Sequence, residues 1–138
     1  GIGGGLPLGA ALLSEKVATV LGHGDHGSTF GGNPVACAGA VSIISRIDDA
    51  LLSSVREKSE AVFALCANAK GVKSVSGLGL MIGIETEKPA AEIVKKAISR
   101  GVLALTAKNK VRLLPALNID KQQLLDAVRV VLEICAED

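Results

Sequence analysis

Two neighbouring hydroxyl side chains, Ser28 and Thr29, stand in a glycine-rich segment that runs up to Asn33-Pro34. Asparagine at an N-cap followed by proline at the first helical position is typical of the start of a helix. Free backbone N–H groups, the positive end of a helix and short hydroxyl donors are the groups that bind a phosphate. The residues by themselves fit a phosphate site and an ordinary capped loop equally well.

Arg112 is a further residue whose type and position could do chemistry. It stands between Val111 and Leu113 in a short predicted strand, so its side chain points away from both neighbours. An arginine in an apolar strand either reaches water at a sheet edge or holds a carboxylate with its planar fork of N–H donors. Taken alone, the position of Arg112 slightly favours the solvated edge.

A third segment matches known motifs only by its letters. The string from Gly22 to Gly27 reads G-x-G-x-x-G, but a dinucleotide-binding loop must follow a strand and open a helix. Here a predicted helix precedes the string, and the next helix starts only at Asn33. His23, Asp25 and His26 have poor spacing for a preformed tetrahedral metal site, and no cysteine lies nearby in the sequence. We therefore expect neither a nucleotide nor a metal in this loop.

The composition excludes several classes of protein. The 138 residues carry a net charge of +1 without a basic block, so nucleic acid is not an expected partner. No apolar run approaches about 18 residues, so no membrane span is expected. Cys37, Cys66 and Cys135 are odd in number, far apart and set in apolar helical patterns. We expect them to be buried free thiols of a cytoplasmic protein.

The first third of the chain is predicted to be loop and helix. Residues 9–14 fit a short buried strand, and Ser14 can cap a brief helix that runs to Val20. A glycine-rich loop over 21–32 leads to a helix from Val35 to Ile47. Because this second helix is apolar on most sides, we expect it to be buried.

The rest of the chain alternates between helices and strands. A helix is predicted from Asp48 to Ala69, ended by Gly71. A strand over 78–85 follows, with alternate apolar side chains on one face. Next come a helix over 89–100, with Ile93, Val94, Ala97 and Ile98 inward, and short strands over 102–105 and 111–114. Asp120 is predicted to cap a final helix, and Gln123 completes a capping box. The buried stripe of this final helix is predicted to consist of Leu124, Val128, Val131, Leu132 and Cys135.

The chain opens on a run with four glycines in its first five residues. Such a backbone either passes close to another body or adopts φ angles that other residues avoid. Termini are usually loose and polar, so we expect the chain to be part of a larger protein. We place a boundary near residue 48, between a remnant of a large domain (1–47) and a nearly complete small α/β sandwich (48–138).

Three segments together resemble the class III (subgroup II) pyridoxal-phosphate-dependent aminotransferases in order and spacing: Gly1 to Ala10, His26 to Pro34 and Val111 to Pro115. The segment from Gly77 to Ile84 is similar to the first strand of that family's small domain. The resemblance covers the whole chain, as the C-terminal third of such an enzyme. It implies an α/β fold of type I, in which the tail of the large cofactor-binding domain precedes the small C-terminal domain.

The resemblance also implies roles for three residues. Ser28 and Thr29 match the loop that, in the family homodimer, reaches the phosphate of the partner subunit's pyridoxal 5'-phosphate. Arg112 matches the arginine that holds the α-carboxylate of the amino-acid substrate. The Schiff-base lysine is expected just before Gly1, so no residue of this chain is assigned as catalytic, and we expect the chain alone to be inactive.

The activity that the resemblance implies is transfer of the δ-amino group of N-acetylornithine to 2-oxoglutarate, a step of arginine biosynthesis. Three alternatives stay open. The amino donor could be ornithine, succinylornithine or 4-aminobutyrate, the enzyme could be an aminomutase, or the chain could be a non-catalytic binding or assembly module that kept the fold.

Overall fold

The computed structural model describes residues 1–137. These residues form two compact units, Gly1–Asp48 and the residues from Asp49 onward. The strands of the described residues all lie in the second unit. No helix among them is both long and apolar enough to cross a membrane.

The first unit contains two helices, α1 (Glu15–Ala18) and α2 (Pro34–Ile44), joined by turns. The strand predicted over 9–14 is wrong, because these residues are largely exposed and pair with no strand. A β-strand is stabilised by hydrogen bonds to a neighbouring strand, and the described residues of this unit contain none. α1 is also shorter than predicted, and Ser14 at its N-cap makes no side-chain hydrogen bond.

The glycine run packs against α2, as its composition predicts. A Cβ added to Gly39 of α2 would lie 2.7 Å from the carbonyl oxygen of Gly3. Gly4 has a φ of +61°, and a Cβ there would lie 3.2 Å from Cγ1 of Ile43. Both the close approach and the left-handed backbone therefore require glycine at these positions.

α2 is buried on one side only, which corrects the prediction of a buried helix. Ala36 and Ala40 are buried, whereas Val35, Val41 and Ile44 are exposed. An apolar helix is buried all round only where neighbours surround it, and the described residues of this unit supply them on one side. The helix also ends at Ile44, three residues before the predicted end.

The second unit has an α/β fold, as predicted, with one sheet and three helices. Its elements in chain order are α3 (Asp49–Cys66), β1 (Val72–Leu78), β2 (Met81–Thr86), α4 (Ala90–Ser99), β3 (Leu105–Ala107), β4 (Lys110–Leu113) and α5 (Lys121–Ala136). The four strands form one antiparallel sheet in the order β1-β2-β4-β3. Side chains of α3, α4 and α5 share one hydrophobic core with the sheet.

The start of the sheet differs from the prediction. α3 ends at Cys66, and Asn68 just beyond it has a left-handed φ of 62°. Gly71 therefore leads into β1 instead of ending the helix. The sequence does not predict β1, because its serines, lysine and glycine interrupt the alternation of polar and apolar side chains that is typical of a strand. The segment predicted as one strand over 78–85 contains the end of β1, a turn at Gly79-Leu80 and most of β2.

One face of the sheet carries the core. Ile82 and Ile84 of β2 are buried, and so are Val111 and Leu113 of β4. Each alternates with a residue that is partly exposed. Full burial of such side chains stabilises the fold by about 1.5–3 kcal/mol each. The pairing of β2 with β4 therefore rests on four apolar positions that lie on the same side of the sheet.

The buried apolar stripes of α4 and α5 differ slightly from the predicted ones. On α4, Ile93 and Ala97 are buried and Ile98 is exposed, because each residue turns the helix by about 100° and Ile98 lies one step past the centre of the stripe. On α5, Leu132 is only partly buried, whereas Ile134 is fully buried.

The ends of α5 are held by polar contacts. At its start, the carboxylate of Asp120 accepts a hydrogen bond from the N–H of Gln123 at 2.9 Å, so the predicted cap is confirmed. At its end, the Glu137 carboxylate accepts from Lys96 Nζ at 2.6 Å and from the guanidinium of Arg100, both near the end of α4. These hydrogen bonds hold the pKa of Glu137 below its ordinary value of 4.5.

The cysteines differ in their surroundings. Cys66 and Cys135 are buried free thiols, as predicted, whereas Cys37 of α2 is only partly buried, which corrects the prediction for that residue. Burial raises the pKa of the Cys66 thiol to about 11, with a smaller contribution from the nearby Cys135. Burial also raises the pKa of Cys135. Neither buried thiol is therefore a reactive thiolate at neutral pH.

We expect Gly71→Ala to destabilise the protein more than Gly101→Ala. Both glycines have left-handed φ angles, +78° and +81°, so alanine is strained by about 1–2 kcal/mol at either position. A Cβ at Gly71 would also overlap the backbone carbonyl of Cys135, whereas nothing lies within 4 Å of one at Gly101. Urea unfolding of both variants measures the difference, and equal losses would show that the Gly71 contact carries no weight.

We expect Glu137→Gln to lower the melting temperature at neutral pH and to have no effect in strong acid. The pKa of Glu137 is lower in the folded chain than its ordinary 4.5, so the unfolded chain takes up the proton at a higher pH. The stabilisation is therefore complete above about 4.5 and is lost as the pH falls through the folded pKa.

Thermal unfolding followed by circular dichroism between pH 7 and pH 3 measures this dependence. Glu133→Gln is the matched control, because Glu133 lies one turn earlier on α5 and makes no ion pair within residues 1–137. A loss of stability for Glu137→Gln that is the same at every pH would contradict the prediction.

Candidate functional site

The face of the sheet opposite the core carries polar side chains. On β2 this face presents Gly83 and Glu85, and on β4 it presents Lys110 and Arg112. The alternation that buries Val111 and Leu113 places both cations on the open face. The predicted orientation of Arg112, away from its two neighbours, is confirmed.

Arg112 stands in the middle of this face and not at an edge of the sheet. β4 lies between β2 and β3, and Arg112 is in register with Gly83 on one side and with Leu105 on the other. The side chain is partly buried, and among residues 1–137 its Nε is the one buried side-chain nitrogen or oxygen without a hydrogen-bond partner. A buried donor left without an acceptor costs about 1–3 kcal/mol. Because β4 is an interior strand, the solvated-edge interpretation of Arg112 is wrong, and the guanidinium keeps one buried donor that has no acceptor within residues 1–137.

Gly83 allows the Lys110 side chain to lie close against the backbone of β2. A Cβ added to Gly83 would lie 3.2 Å from Cδ of Lys110, so the lysine stem lies across the glycine. The Lys110 ammonium donates to Oγ of Ser76 on β1 at 2.8 Å. The open face thus has two cationic side chains around a strand position that lacks a side chain.

The nearest acid on this face is engaged elsewhere. Glu85 accepts hydrogen bonds from Ser74 at 3.0 Å and from the Asn109 side chain at 2.9 Å. Within residues 1–137, neither Lys110 nor Arg112 forms an ion pair. Lys110 and Arg112 therefore lack a hydrogen-bonded carboxylate partner within residues 1–137, although Glu85 lies opposite Lys110 on the same face.

The loop that follows β4 is tied to the helical layer. Lys58 of α3 is buried, and its ammonium donates to the carbonyl of Leu117 at 3.3 Å. This contact joins the loop between β4 and α5 to α3. The strand that carries Arg112 is therefore fixed both by its pairing with the neighbouring strands and by the contact of the loop that follows it. Nothing in the spacing of the sequence marks Lys58 for this role.

In the first unit, the segment from Ser28 to Asn33 forms two successive turns. The N–H of Gly31 donates to the Ser28 carbonyl at 3.1 Å, and that of Asn33 donates to the Phe30 carbonyl at 3.2 Å. Gly32 has a φ of +68°, and a Cβ at Gly31 would lie 3.2 Å from Cβ of Ser28. The two glycines therefore shape a tight loop just before α2.

The predicted N-cap of α2 is confirmed and limits what the helix end can bind. The Asn33 side chain accepts from the N–H groups of Val35 and Ala36 at 3.0 and 3.1 Å, and Pro34 has no N–H. The first free donors of α2 are thus already satisfied within the chain. A phosphate at this loop would depend on hydroxyls and on turn N–H groups instead of the helix end.

Ser28 and Thr29 are both exposed, and within residues 1–137 neither hydroxyl makes a hydrogen bond. Their position beside glycine turns fits the donor set that a phosphate needs. The structure brings these two residues together in one loop of the first unit, while Arg112 lies in the second unit. Their roles as cofactor and substrate contacts stay predictions.

The segment from Gly22 to Gly27 is a local turn. The Asp25 carboxylate accepts from the N–H of Gly22 at 2.6 Å, and the Asp25 N–H donates back to the Gly22 carbonyl at 3.3 Å. No strand precedes the segment, and α2 begins well after it. In the described part of the chain, no three His, Cys, Asp or Glu residues group to hold a metal ion.

Sequence reasoning missed Lys110, Gly83 and Ser76 as neighbours of Arg112. One signal was available: Lys110 lies two residues before Arg112, and residues two apart on a strand share a face. The pairing of β1 with β2, which brings Ser76 beside Gly83, had no such signal because β1 itself was not recognised.

Comparison with known proteins identifies the family. Residues 1–134 match the family Aminotransferase class-III. The chain therefore belongs to the class-III aminotransferases, which depend on pyridoxal phosphate.

Relatives at the level of sequence include acetylornithine aminotransferases. The enzyme of Haemophilus ducreyi is 45% identical over 139 residues, which cover 99% of this chain and 35% of that enzyme. The chain thus spans about a third of the length of the curated relatives it matches.

Solved structures of related enzymes share the fold. The acetylornithine aminotransferase of Elizabethkingia anophelis matches with a TM-score of 0.69 and 29% identity over 87% of this chain and 33% of that one. The ornithine aminotransferase of Toxoplasma gondii matches with a TM-score of 0.72 and 26% identity over 86% of this chain and 30% of that one. The Toxoplasma structure is described as having partial occupancy of pyridoxal phosphate at its active site.

Proposed function

We propose that this chain is the C-terminal third of an aminotransferase that moves the δ-amino group of N-acetylornithine to 2-oxoglutarate, in arginine biosynthesis. Membership of the class-III family supports the reaction type, and 45% identity to an acetylornithine aminotransferase supports the amino donor. Residues 1–47 would be the tail of the large cofactor-binding domain, and 48–138 the small domain. We further propose a homodimer in the cytoplasm, where free thiols such as Cys66 and Cys135 are typical.

The observation that carries the proposal is the unpaired Nε of Arg112. Side-on pairing of a guanidinium with a carboxylate uses Nε–H and one terminal N–H as two parallel donors. The Nε of Arg112 is buried and has no acceptor within residues 1–137, and Gly83, which has no side chain, lies in register with Arg112 on β2. Arg112 would bind the carboxylate of the amino-acid and oxo-acid substrates and orient their reacting carbon.

Ser28 and Thr29 would hold the phosphate of pyridoxal 5'-phosphate, across the dimer interface as in the family. Their hydroxyls are exposed and free to donate, and the turns at Gly31 and Gly32 hold them beside each other. The bound cofactor supplies the electron sink for chemistry at the substrate carbon. The family lysine that moves the proton is not assigned to any residue of this chain, so we propose that the chain has no activity alone.

We expect the full-length enzyme to use N-acetylornithine with a higher kcat/KM than ornithine, succinylornithine or 4-aminobutyrate. Arg112→Lys should raise KM for amino donor and oxo acid alike, because a lysine cannot reproduce the planar fork. Loss of one charge-assisted hydrogen bond costs about 1.5–3 kcal/mol, so the expected rise is roughly tenfold or more. Steady-state kinetics with each donor and with 2-oxoglutarate measures both effects.

The control for Arg112→Lys is Arg129→Lys, because Arg129 lies on α5 and pairs with Asp126 on the surface. The control should keep the kinetics of the unaltered enzyme. Unchanged KM values for Arg112→Lys would refute the carboxylate role. A preference for ornithine, succinylornithine or 4-aminobutyrate would replace the proposed donor, and amino migration without exchange would identify an aminomutase.

We expect Thr29→Val to weaken binding of pyridoxal 5'-phosphate to the full-length enzyme by about 1–3 kcal/mol, the scale of a hydrogen bond to a charged group. Thr29→Ser keeps the hydroxyl and should bind the cofactor as the unaltered enzyme does. Equilibrium dialysis or fluorescence titration of the apoenzyme gives the dissociation constants. Equal constants for valine and serine would remove Thr29 from the phosphate site.

A further inference from the structure

Lys58 occupies a position of α3 that packing would fill with an apolar side chain. The buried residues of this helix are Val55, Lys58, Val62 and Cys66, which recur every three or four residues on one face. Lys58 itself is only 7% exposed. Lysine is rarely buried unless its charge is paired, and within residues 1–137 Lys58 forms no ion pair. Packing alone therefore does not account for a lysine at this position.

The contact that Lys58 does make lies outside the helical layer. Its ammonium donates to the backbone carbonyl of Leu117, in the loop between β4 and α5. The preceding residue, Glu57, pairs with Lys121 at the start of α5, but both of those side chains are largely exposed. An exposed ion pair contributes little to stability. Of these two contacts between α3 and the segment that follows β4, the buried one made by Lys58 is therefore the stronger anchor.

Arg112 lies at the end of the strand that leads into this loop. The ladder between β3 and β4 ends at Arg112 itself, opposite Leu105, and the ladder between β2 and β4 ends one residue later, at Leu113 opposite Ile82. Backbone pairs at the end of a ladder open more readily than those at its centre. Shortly after Leu113, the hydrogen bond from Lys58 ties the same backbone to α3. This anchor therefore limits opening at the end of β4 that holds Arg112.

We propose that Lys58 is a positioning residue for Arg112, because its buried ammonium fixes the backbone just after β4 and so keeps the guanidinium in place for a substrate carboxylate. A charge in the core is unfavourable, but an apolar residue at position 58 could not donate to the Leu117 carbonyl. The charge is then kept for the placement of Arg112 and not for packing. The proposal rests on the carboxylate role of Arg112 given above.

The test compares the full-length enzyme with its Lys58→Met variant, because methionine is flexible, apolar and without a donor. Hydrogen exchange followed by mass spectrometry measures opening of the backbone over residues 110–117. We expect this stretch to exchange about tenfold faster in the variant, the scale of one hydrogen bond to a charged group. Peptides from β1 and α4 should exchange as they do in the unaltered enzyme.

Steady-state kinetics separates positioning from a general loss of structure. Lys58→Met should raise KM for the amino donor and for 2-oxoglutarate about threefold, as expected of a residue that acts through a neighbour, with a smaller change in kcat. Partial unfolding would instead lower kcat, because fewer molecules are active, and would leave KM as it is. If Lys58→Met does not fold, Lys58→Gln, which has a shorter and uncharged side chain, should show the same two changes.

Two variants of α3 are the matched controls. Val62 is fully buried in the same stripe as Lys58, so Val62→Ala should lower the melting temperature without raising KM. Glu57→Gln removes the exposed contact to Lys121 and should change neither KM nor the exchange of residues 110–117.

Unchanged exchange over residues 110–117 in the Lys58 variant would overturn the anchor. Faster exchange with unchanged KM would overturn the positioning role, and so would an equal rise in KM for Val62→Ala. The exchange measurement needs no substrate, so it tests the anchor separately from the proposed function, which the kinetics of Arg112→Lys tests.

Discussion

The antiparallel pairing of β2 with β4 is the constraint on which the second unit depends. It places Ile82 opposite Leu113 and Ile84 opposite Val111 on the core face, and Gly83 opposite Arg112 on the other. Side chains alternate with a period of two, so a slip of one residue would bury the arginine and expose the isoleucines. The same register that builds the core therefore positions the candidate carboxylate contact.

The free energies of burial and of an unpaired hydrogen-bond donor explain why the fold tolerates the Nε of Arg112 without an acceptor. Each buried apolar side chain of the paired strands contributes about 1.5–3 kcal/mol, and one unpaired buried N–H costs about 1–3 kcal/mol. Four buried positions on β2 and β4 outweigh one orphaned Nε. The sheet can thus hold Arg112 with one unpaired donor without losing its register.

The first unit relies on close backbone approach more than on a hydrophobic core. Gly3 and Gly39 meet at a distance that excludes any side chain, and small residues such as Ala36 and Ala40 are the buried ones of α2. Its candidate phosphate loop is shaped by glycine turns, and Asn33 already satisfies the first N–H groups of the helix behind it. The loop can offer a phosphate its hydroxyls, while the helix end has little left to donate.

The sequence by itself determined several features that depend on near neighbours along the chain, although the predicted Ser14 cap is not among them. The caps at Asn33 and Asp120 and the outward orientation of Arg112 follow from contacts or alternation within three residues, and each was predicted correctly. Only the tertiary structure decided which segments pair and which side chains meet. Residues 9–14 have no partner strand and form no strand, contrary to the prediction. β1 was not predicted and is stabilised by its pairing with β2. The Lys110 ammonium reaches Ser76 instead of its register partner Glu85, a contact that depends on the pairing of β1, β2 and β4 and on the missing side chain of Gly83.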